Sequence, residues 1–414
     1  MVLEAPLLAA NVVQWLYSEA VGRQDSLELV EELATHLREG GLPVDRITTA
    51  IMLLHPNVRA EAAVWESSGT RELRRYIGSE ELDERYHNSP LKAVFTDSQP
   101  VRCRIAPEPE PDEFSVIPDL RGEGYTDYIA LPMPFSDGST KAVTFATKAP
   151  SGFSGAQIGV LESIIRPLGI VCELATLKRT AETLLDTYVG VRAGSKVLNG
   201  TVKRGDGEWI SAVVSFADLR GFTRISNTLP ADKLIKFLNQ YFGAMTVAVE
   251  AHGGEVLKYI GDEIMAIFPY SNEDEAEDAA KRALLAARQT IRSIEEINQA
   301  NICLETPDLS VGIALHAGDV FFGNVGSETR LDFTVIGPVV NMAARIAELA
   351  KDLDLEILVS EVIADIMGCR GGLFGEYQVK GFDDPVRVYS SASALRDNAS
   401  LCPDNTAMRA LEAN

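Results

Sequence analysis

Cysteine is scarce in this sequence, and its few copies form no recognisable pattern. The chain has 414 residues and five cysteines, namely Cys103, Cys172, Cys303, Cys369 and Cys402. Zinc sites depend on CxxC pairs or on cysteine and histidine at ligand spacing. These cysteines include no CxxC pair and have no histidine nearby at such a spacing. We therefore expect reduced thiols, as in a cytoplasmic protein.

Long apolar runs are also missing. No stretch of 18 apolar residues occurs, and the apolar run around Ile164 is interrupted by Arg166 and Pro167. A transmembrane helix needs about 20 consecutive apolar residues. The first twenty residues include acidic side chains and lack the basic start of a signal peptide. We expect no membrane span and no export signal.

Basic residues are few compared with acidic ones. Lys and Arg number 38 against 60 Asp and Glu, a formal net charge of −22. A surface so acidic disfavours general electrostatic binding of nucleic acid. It can still bind a small anion where metal ions neutralise the charge locally. The length and the 46% apolar content indicate two or three folded domains.

The first 175 residues show an order of elements that suggests a sensory domain. We predict helix within residues 1–40, strands at 46–54 and 60–66, and a short helix opened by Ser89. A strand at 101–105, a hairpin pairing 125–132 with 141–147, and a long helix from Ser154 follow. This order resembles a GAF-type α/β domain over residues 1–175, which implies a small-molecule ligand. His55, Trp65 and His87 are pocket candidates, although ordinary core or surface roles are the more common ones.

The long helix carries a stripe of apolar residues in steps of four and three, typical of a coiled-coil seam. The stripe comprises Ile170, Leu174, Leu177, Ala181, Leu184 and Tyr188. It spans less than three heptads, so ordinary packing explains it equally well. A polar, glycine-punctuated segment follows, and we interpret residues 176–208 as a helical linker and transducer ending in a hinge.

Two aspartates at the ends of apolar strands are the main candidates for chemistry. Asp218 ends a strand beginning near Ile210, and Asp262 follows Gly261 at the tip of a predicted hairpin. Either alone could be a turn former. Pairing of their strands would bring both carboxylates together, and carboxylate oxygens are ligands that hard cations prefer. We predict that the two aspartates bind divalent metal ions, which in turn bind a nucleotide triphosphate.

A helix opened by Pro338 presents Asn341 and Arg345 four residues apart, hence on one face. An amide and a guanidinium placed in this way can hold a ribose and a phosphoryl group together. For an isolated pair, a solvated helix face would be the plainer interpretation.

Taken together, residues 209–392 resemble a class III nucleotide cyclase catalytic domain. They contain FADLRGFT, GGEVLKYIGDEIMAIF, GIALHAGDV, DFTVIGPVVNMAAR and YQVKGFDDPVRVY in the order of that family. The resemblance implies an α+β fold with a ferredoxin-like βαββαβ core, active as a homodimer with its sites at the subunit interface. Residues 393–414 would then be a flexible tail.

The resemblance also implies roles for individual residues. Asp218, Asp262 and the Leu219 carbonyl would bind two Mg²⁺ or Mn²⁺ ions. Asn341 would orient the ribose, and Arg345 would stabilise the transition state. The remaining substrate contacts would come from Gly221, Phe222, Thr223, Lys258, Thr334 and Lys380. We interpret Asp332, two residues away from the family's purine-contact spacing, as structural.

Donor and acceptor chemistry favours adenine over guanine. Lys258 can only donate, which suits N1 of adenine, and the Thr334 hydroxyl can accept from N6. The expected reaction is therefore conversion of ATP to cyclic AMP and pyrophosphate. A Lys–Thr pair resembles a bacterial subgroup often stimulated by bicarbonate. The alternatives are a guanylate cyclase, or an inactive nucleotide-binding or dimerisation module; the presence of Asp218, Asp262, Asn341 and Arg345 opposes the inactive one.

Overall fold

A computed structural model describes residues 3–54, 58–77, 86–301, 307–368 and 373–390. It divides into two compact units, Met1–Leu184 and Leu185–Asn414. The division falls inside segment 176–208, the predicted linker. Within the described ranges, no helix combines the length and apolarity needed to cross a membrane. The predicted tail and Cys303, Cys369 and Cys402 lie outside the described residues, whereas Cys103 and Cys172 are free thiols.

The N-terminal unit is built on six strands with helices on both faces. Its helices are α1 (Ala5–Ser18), α2 (Ser26–Glu39), α3 (Pro90–Asp97), α4 (Ile117–Gly122) and the long α5 (Gly155–Val189), with a 3-10 turn at Ala20–Gly22. Its strands are β1 (Arg46–Met52), β2 (Ala60–Glu66), β3 (Arg71–Tyr76), β4 (Val101–Arg104), β5 (Asp127–Pro134) and β6 (Thr140–Thr147).

These strands form one antiparallel sheet in the order β3-β2-β1-β6-β5-β4. Successive side chains of a strand point to opposite faces, so one strand serves two cores. In β1, Ile47 and Ile51 pack with α1, α2 and α5, whereas Ala50 packs with α3 and α4. The sheet is therefore covered on both faces.

Most elements predicted for this unit are confirmed, including the hairpin of β5 with β6 and the short helix capped by Ser89. Strand β3 and helix α4 were not predicted. The sequence of β3, RELRRY, is rich in charge because it is an edge strand paired only with β2. His55 lies outside the described residues. The GAF-type interpretation of this unit stays a prediction.

The described residues of the C-terminal unit form eight strands and six further helices. The strands are β7 (Gly207–Leu219), β8 (Glu255–Ile260), β9 (Glu263–Tyr270), β10 (Val311–Gly326), β11 (Leu331–Ile336), β12 (Ile357–Ser360), β13 (Leu373–Tyr377) and β14 (Val386–Ser390). The helices are α6 (Val191–Leu198), α7 (Phe222–Thr228), α8 (Ala231–Ala251), α9 (Glu273–Asn301), α10 (Pro338–Asp352) and α11 (Glu361–Ile366).

The strand order is β13-β14-β12-β10-β7-β9-β8, with β11 paired to β10. The run β7-α8-β8-β9-α9-β10 has the expected βαββαβ order. Helices α8 and α9 cover one face through residues such as Tyr241 and Ala283. Helix α10 covers the other face with a row of buried residues that includes Ile346 and Ala350. The end of β7 and the tip of the β8–β9 hairpin lie side by side. This arrangement positions the candidate active site.

Helix α6 lies within residues 176–208, which the sequence analysis interpreted as a helical linker ending in a hinge. Gly190 has a φ of 94°, a backbone region that favours glycine, and separates α5 from α6. Ala193 is buried and Val197 packs beside it. This packing overrides the low helix propensity that the glycines suggested. In α5, the predicted stripe residues Ile170, Leu174 and Leu177 are exposed.

Candidate active site

Two carboxylates meet where β7 ends, as predicted. Asp218 stands opposite Glu263 in the antiparallel pairing of β7 with β9. Asp262 precedes Glu263 at the tip of the β8–β9 hairpin, where Gly261 has a φ of 67°. The Asp218 and Asp262 side chains are neighbours, because the Asp218 carboxyl group raises the pKa of Asp262. Strand pairing thus places both aspartates at one point.

This end of the sheet concentrates negative charge. Partial burial and the neighbouring Asp218 raise the pKa of Asp262 to about 6. Burial, with Asp218 and Asp262 nearby, raises the pKa of Glu263 to about 7. These shifts mean that the ionised carboxylates are poorly compensated by the protein itself. A cation bound here would relieve the repulsion.

The donor set fits magnesium or manganese bound together with a substrate. Among the described residues, no group of three or more His, Cys, Asp or Glu side chains is arranged to hold an ion. Two carboxylates with the adjacent Leu219 backbone would therefore form an incomplete site. Mg²⁺ is usually bound through one or two carboxylates plus substrate phosphates. The residues present fit such a metal, with the phosphates completing its coordination.

Lys351 also belongs to this cluster, although the sequence analysis did not identify it. It lies in the last turn of α10, and its Nζ donates to Asp218 Oδ2 at 2.6 Å. The contact raises the pKa of the Lys351 ammonium. The pairing depends on how α10 packs against β7, for which the local sequence carries no signal.

The turn after Asp218 leads directly into α7. Gly221 has a φ of 70°, and its carbonyl accepts from the amides of Arg224 and Ile225. Phe222 and Thr223 form the start of α7, where backbone amides have no acceptor within the helix. The predicted phosphate-contacting residues therefore lie next to the metal-site strand end.

The predicted purine contacts lie on β8 and β11. The Lys258 ammonium forms an ion pair with the Asp332 carboxylate. Asp332 and Thr334 are two residues apart on β11 and so share one face of the strand. Thr334 is buried. Asp332, interpreted as structural from the sequence, is therefore the direct partner of Lys258.

Asn341 and Arg345 lie on α10, which Pro338 opens as predicted. The Asn341 amide donates to the Gly337 carbonyl at 3.3 Å, and the Arg345 guanidinium pairs with Glu348. Across the ranges that the structure describes, no hydrogen bond or ion pair joins Asn341 or Arg345 to the aspartates.

Lys380 lies in the loop between β13 and β14, where its side chain is exposed. Gln378 bridges this loop by donating to the Phe382 carbonyl at 2.5 Å. The described structure gives Lys380 no ion-pair partner, and its proposed contact with a triphosphate stays a prediction.

Comparison with known proteins identifies the domain that carries these residues. Residues 208–390 match the family described as the adenylate and guanylate cyclase catalytic domain. An adenylate cyclase of Anabaena cylindrica is 30% identical over 244 residues, which is 56% of this chain and 48% of that protein. The chain thus spans about half the length of this curated relative.

Solved structures were also found to be similar. The guanylyl cyclase Cya2 is 32% identical, with 44% of this chain and 92% of that chain covered and a TM-score of 0.39. The adenylyl cyclase CyaB from P. aeruginosa is 28% identical, with 44% and 94% covered and a TM-score of 0.41.

Proposed function

We propose that the chain is an adenylate cyclase, on the premise that residues 208–390 form an adenylate and guanylate cyclase catalytic domain. It would convert ATP to 3′,5′-cyclic AMP and pyrophosphate, as a homodimer controlled by the N-terminal unit. The observation that carries the proposal is the meeting of Asp218 and Asp262 at the end of β7. This arrangement suits metal-assisted attack of a ribose hydroxyl on the α-phosphorus.

Asp218, Asp262 and the Leu219 carbonyl would hold two divalent cations, Mg²⁺ or Mn²⁺. Bound there, such ions would lower the pKa of the attacking 3′-hydroxyl and neutralise charge on the departing pyrophosphate. The aspartates themselves fix the cations at the strand end, beside the Gly221 turn that would approach the phosphates. Removing either carboxylate should therefore abolish turnover.

Asn341 and Arg345 would act on the sugar and on the developing charge. Asn341 would hold the ribose in place for in-line attack. Arg345 would stabilise charge on the α-phosphate oxygens, where comparable arginines contribute roughly 10³-fold or more in rate. Lys380 would contact the triphosphate. These roles rest on the family resemblance of the α10 sequence.

Base selection would come from Lys258 and Thr334. The Lys258 ammonium donates to N1 of adenine, and the Thr334 hydroxyl accepts from N6. Guanine instead presents a donor at N1, and the Lys258 ammonium has no acceptor to receive it. A guanylate cyclase is the alternative, because the matching family includes both adenylate and guanylate cyclases. The Lys–Thr pair also suggests stimulation by bicarbonate.

A competition assay tests this choice. Purified protein is given equal concentrations of ATP and GTP with Mn²⁺, and both cyclic products are quantified. We expect cyclic AMP to dominate, and Asp218→Asn to form neither product. Predominant cyclic GMP would establish a guanylate cyclase. If the unmodified chain forms no cyclic product, the domain is an inactive nucleotide-binding or dimerisation module.

The homodimer is supported by two observations. The apolar residues Ile170, Leu174 and Leu177 of α5 are exposed. In the described part of the chain, Arg345 pairs with Glu348 and has no ion pair with Asp218 or Asp262. In a composite site, Asp218→Ala and Arg345→Ala would each be inactive alone. Equal mixing should give about a quarter of wild-type activity, because about half the dimers would be mixed, each with one intact site.

A further inference from the structure

The contact between Lys351 and Asp218 is not explained by any role assigned above. The Asp218 side chain is 17% exposed, and the Lys351 side chain is 49% exposed. The backbone of Lys351 is fixed by its buried neighbour Ala350, which packs α10 onto the sheet. The end of a flexible, half-exposed side chain therefore reaches a largely buried carboxylate.

Other basic residues in this part of the domain are paired elsewhere. Arg220, which directly follows the end of β7, pairs with Asp354, and Arg345 pairs with Glu348. Lys351 is the ion-pair partner that the described structure gives Asp218. It thus partly neutralises a cluster that holds two further carboxylates, on Asp262 and Glu263.

An ammonium group and a divalent cation compete for the same carboxylate oxygen. Mg²⁺ requires oxygen ligands at about 2.0–2.1 Å in near-octahedral arrangement. A strongly hydrated ammonium on a flexible stem can leave such a contact with little rearrangement. Because Lys351 is half exposed, its side chain has solvent to move into.

We propose that Lys351 is a built-in counter-ion of the metal site, holding Asp218 in the metal-free domain and giving up that contact when a divalent cation binds. The inference rests on the proposed role of Asp218 and Asp262 as metal ligands. Lys351 is then a positioning residue that sets the metal affinity. It keeps the empty site from being destabilised by repulsion between its carboxylates.

Metal binding without nucleotide tests this directly. Mn²⁺ is titrated into the full-length protein and followed by electron paramagnetic resonance, and thermal unfolding is recorded with and without Mn²⁺. We expect Lys351→Met to bind Mn²⁺ about three- to tenfold more tightly, the range for losing a partly exposed ion pair. Its melting temperature should fall without Mn²⁺ and rise more than that of the wild type when Mn²⁺ is added.

Lys281→Met is the matched control, because Lys281 makes a 2.7 Å pair with Glu277 on α9, outside the site. It should leave Mn²⁺ affinity unchanged. Lys351→Arg keeps the charge and should bind Mn²⁺ within about twofold of wild type. Equal or weaker Mn²⁺ binding by Lys351→Met would overturn the proposal.

Two further variants separate this proposal from the proposed function. Asp218→Asn should lose Mn²⁺ binding; if it binds like the wild type, the metal assignment itself fails. If Lys351→Met does not fold, the double variant Asp218→Asn/Lys351→Met tests the counter-ion role. Removing the charge of Asp218 also removes its repulsion of the other carboxylates, so the double variant should fold. Failure of the double variant to fold would show that Lys351 acts through packing and would refute the counter-ion role.

Discussion

His316 makes the catalytic domain sensitive to acid. It lies in β10, largely buried, with Nδ1 2.8 Å from the hydroxyl of Ser360. Ser360 in turn caps α11 by accepting from the Ile363 amide at 3.4 Å. Burial lowers the pKa of His316 from 6.5 to about 4. The folded domain therefore keeps this imidazole neutral in weak acid.

The size and sign of the effect follow from that shift. Below pH 6.5 the unfolded chain binds a proton at this histidine that the folded chain does not, so stability falls as pH decreases. The difference, 6.5 − 4 = 2.5 pKa units, corresponds to about 3 kcal/mol at about 1.4 kcal/mol per unit. The loss begins near pH 6.5 and is complete near pH 4. Between pH 7 and pH 5 it amounts to about 2 kcal/mol.

Urea unfolding at pH 7 and pH 5 measures this effect, with His316→Asn as the comparison. Asparagine can keep a hydrogen bond to Ser360 but does not titrate. We expect the wild type to lose about 2 kcal/mol more than the variant over this interval. Identical losses in both proteins would refute the argument, because the histidine would then not be neutral through burial.

Three other substitutions test the site. Arg345→Ala should lower kcat roughly 10³-fold without changing the melting temperature, measured by initial rates and thermal unfolding. Lys258→Ala should lower kcat/KM for ATP about ten- to a hundredfold, the cost of a charged hydrogen bond, and reduce the preference over GTP in the competition assay. Tyr241→Phe should destabilise the domain by about 1 kcal/mol in urea, because the buried hydroxyl donates to the Ala217 carbonyl at 3.0 Å, directly beside Asp218.

The sequence predicted the structure correctly where a short-range pattern of residues determines it. Apolar segments on either side of a Gly-Asp pair predicted the β8–β9 hairpin, and the structure confirms it. The same reasoning predicted that Asp218 and Asp262 would meet, because a strand ending in one pairs beside a hairpin tip carrying the other. Pro338 at the start of α10 was also predicted correctly.

It was uninformative where contacts depend on packing between distant elements. Lys351 and Asp218 are 133 positions apart and meet because α10 lies across the sheet. Lys258 and Asp332 are 74 positions apart and lie on β8 and β11, which are not adjacent in the sheet. Helix α6 is stabilised among glycines by the burial of Ala193. In each case tertiary packing decided what local preference could not.

The most direct test of the central claim is formation of cyclic AMP by the purified full chain. The protein is incubated with ATP and either Mg²⁺ or Mn²⁺, and cyclic AMP and pyrophosphate are both quantified. We predict equimolar release of the two products, lost in Asp218→Asn. A folded protein that forms no cyclic AMP with either metal would contradict the account.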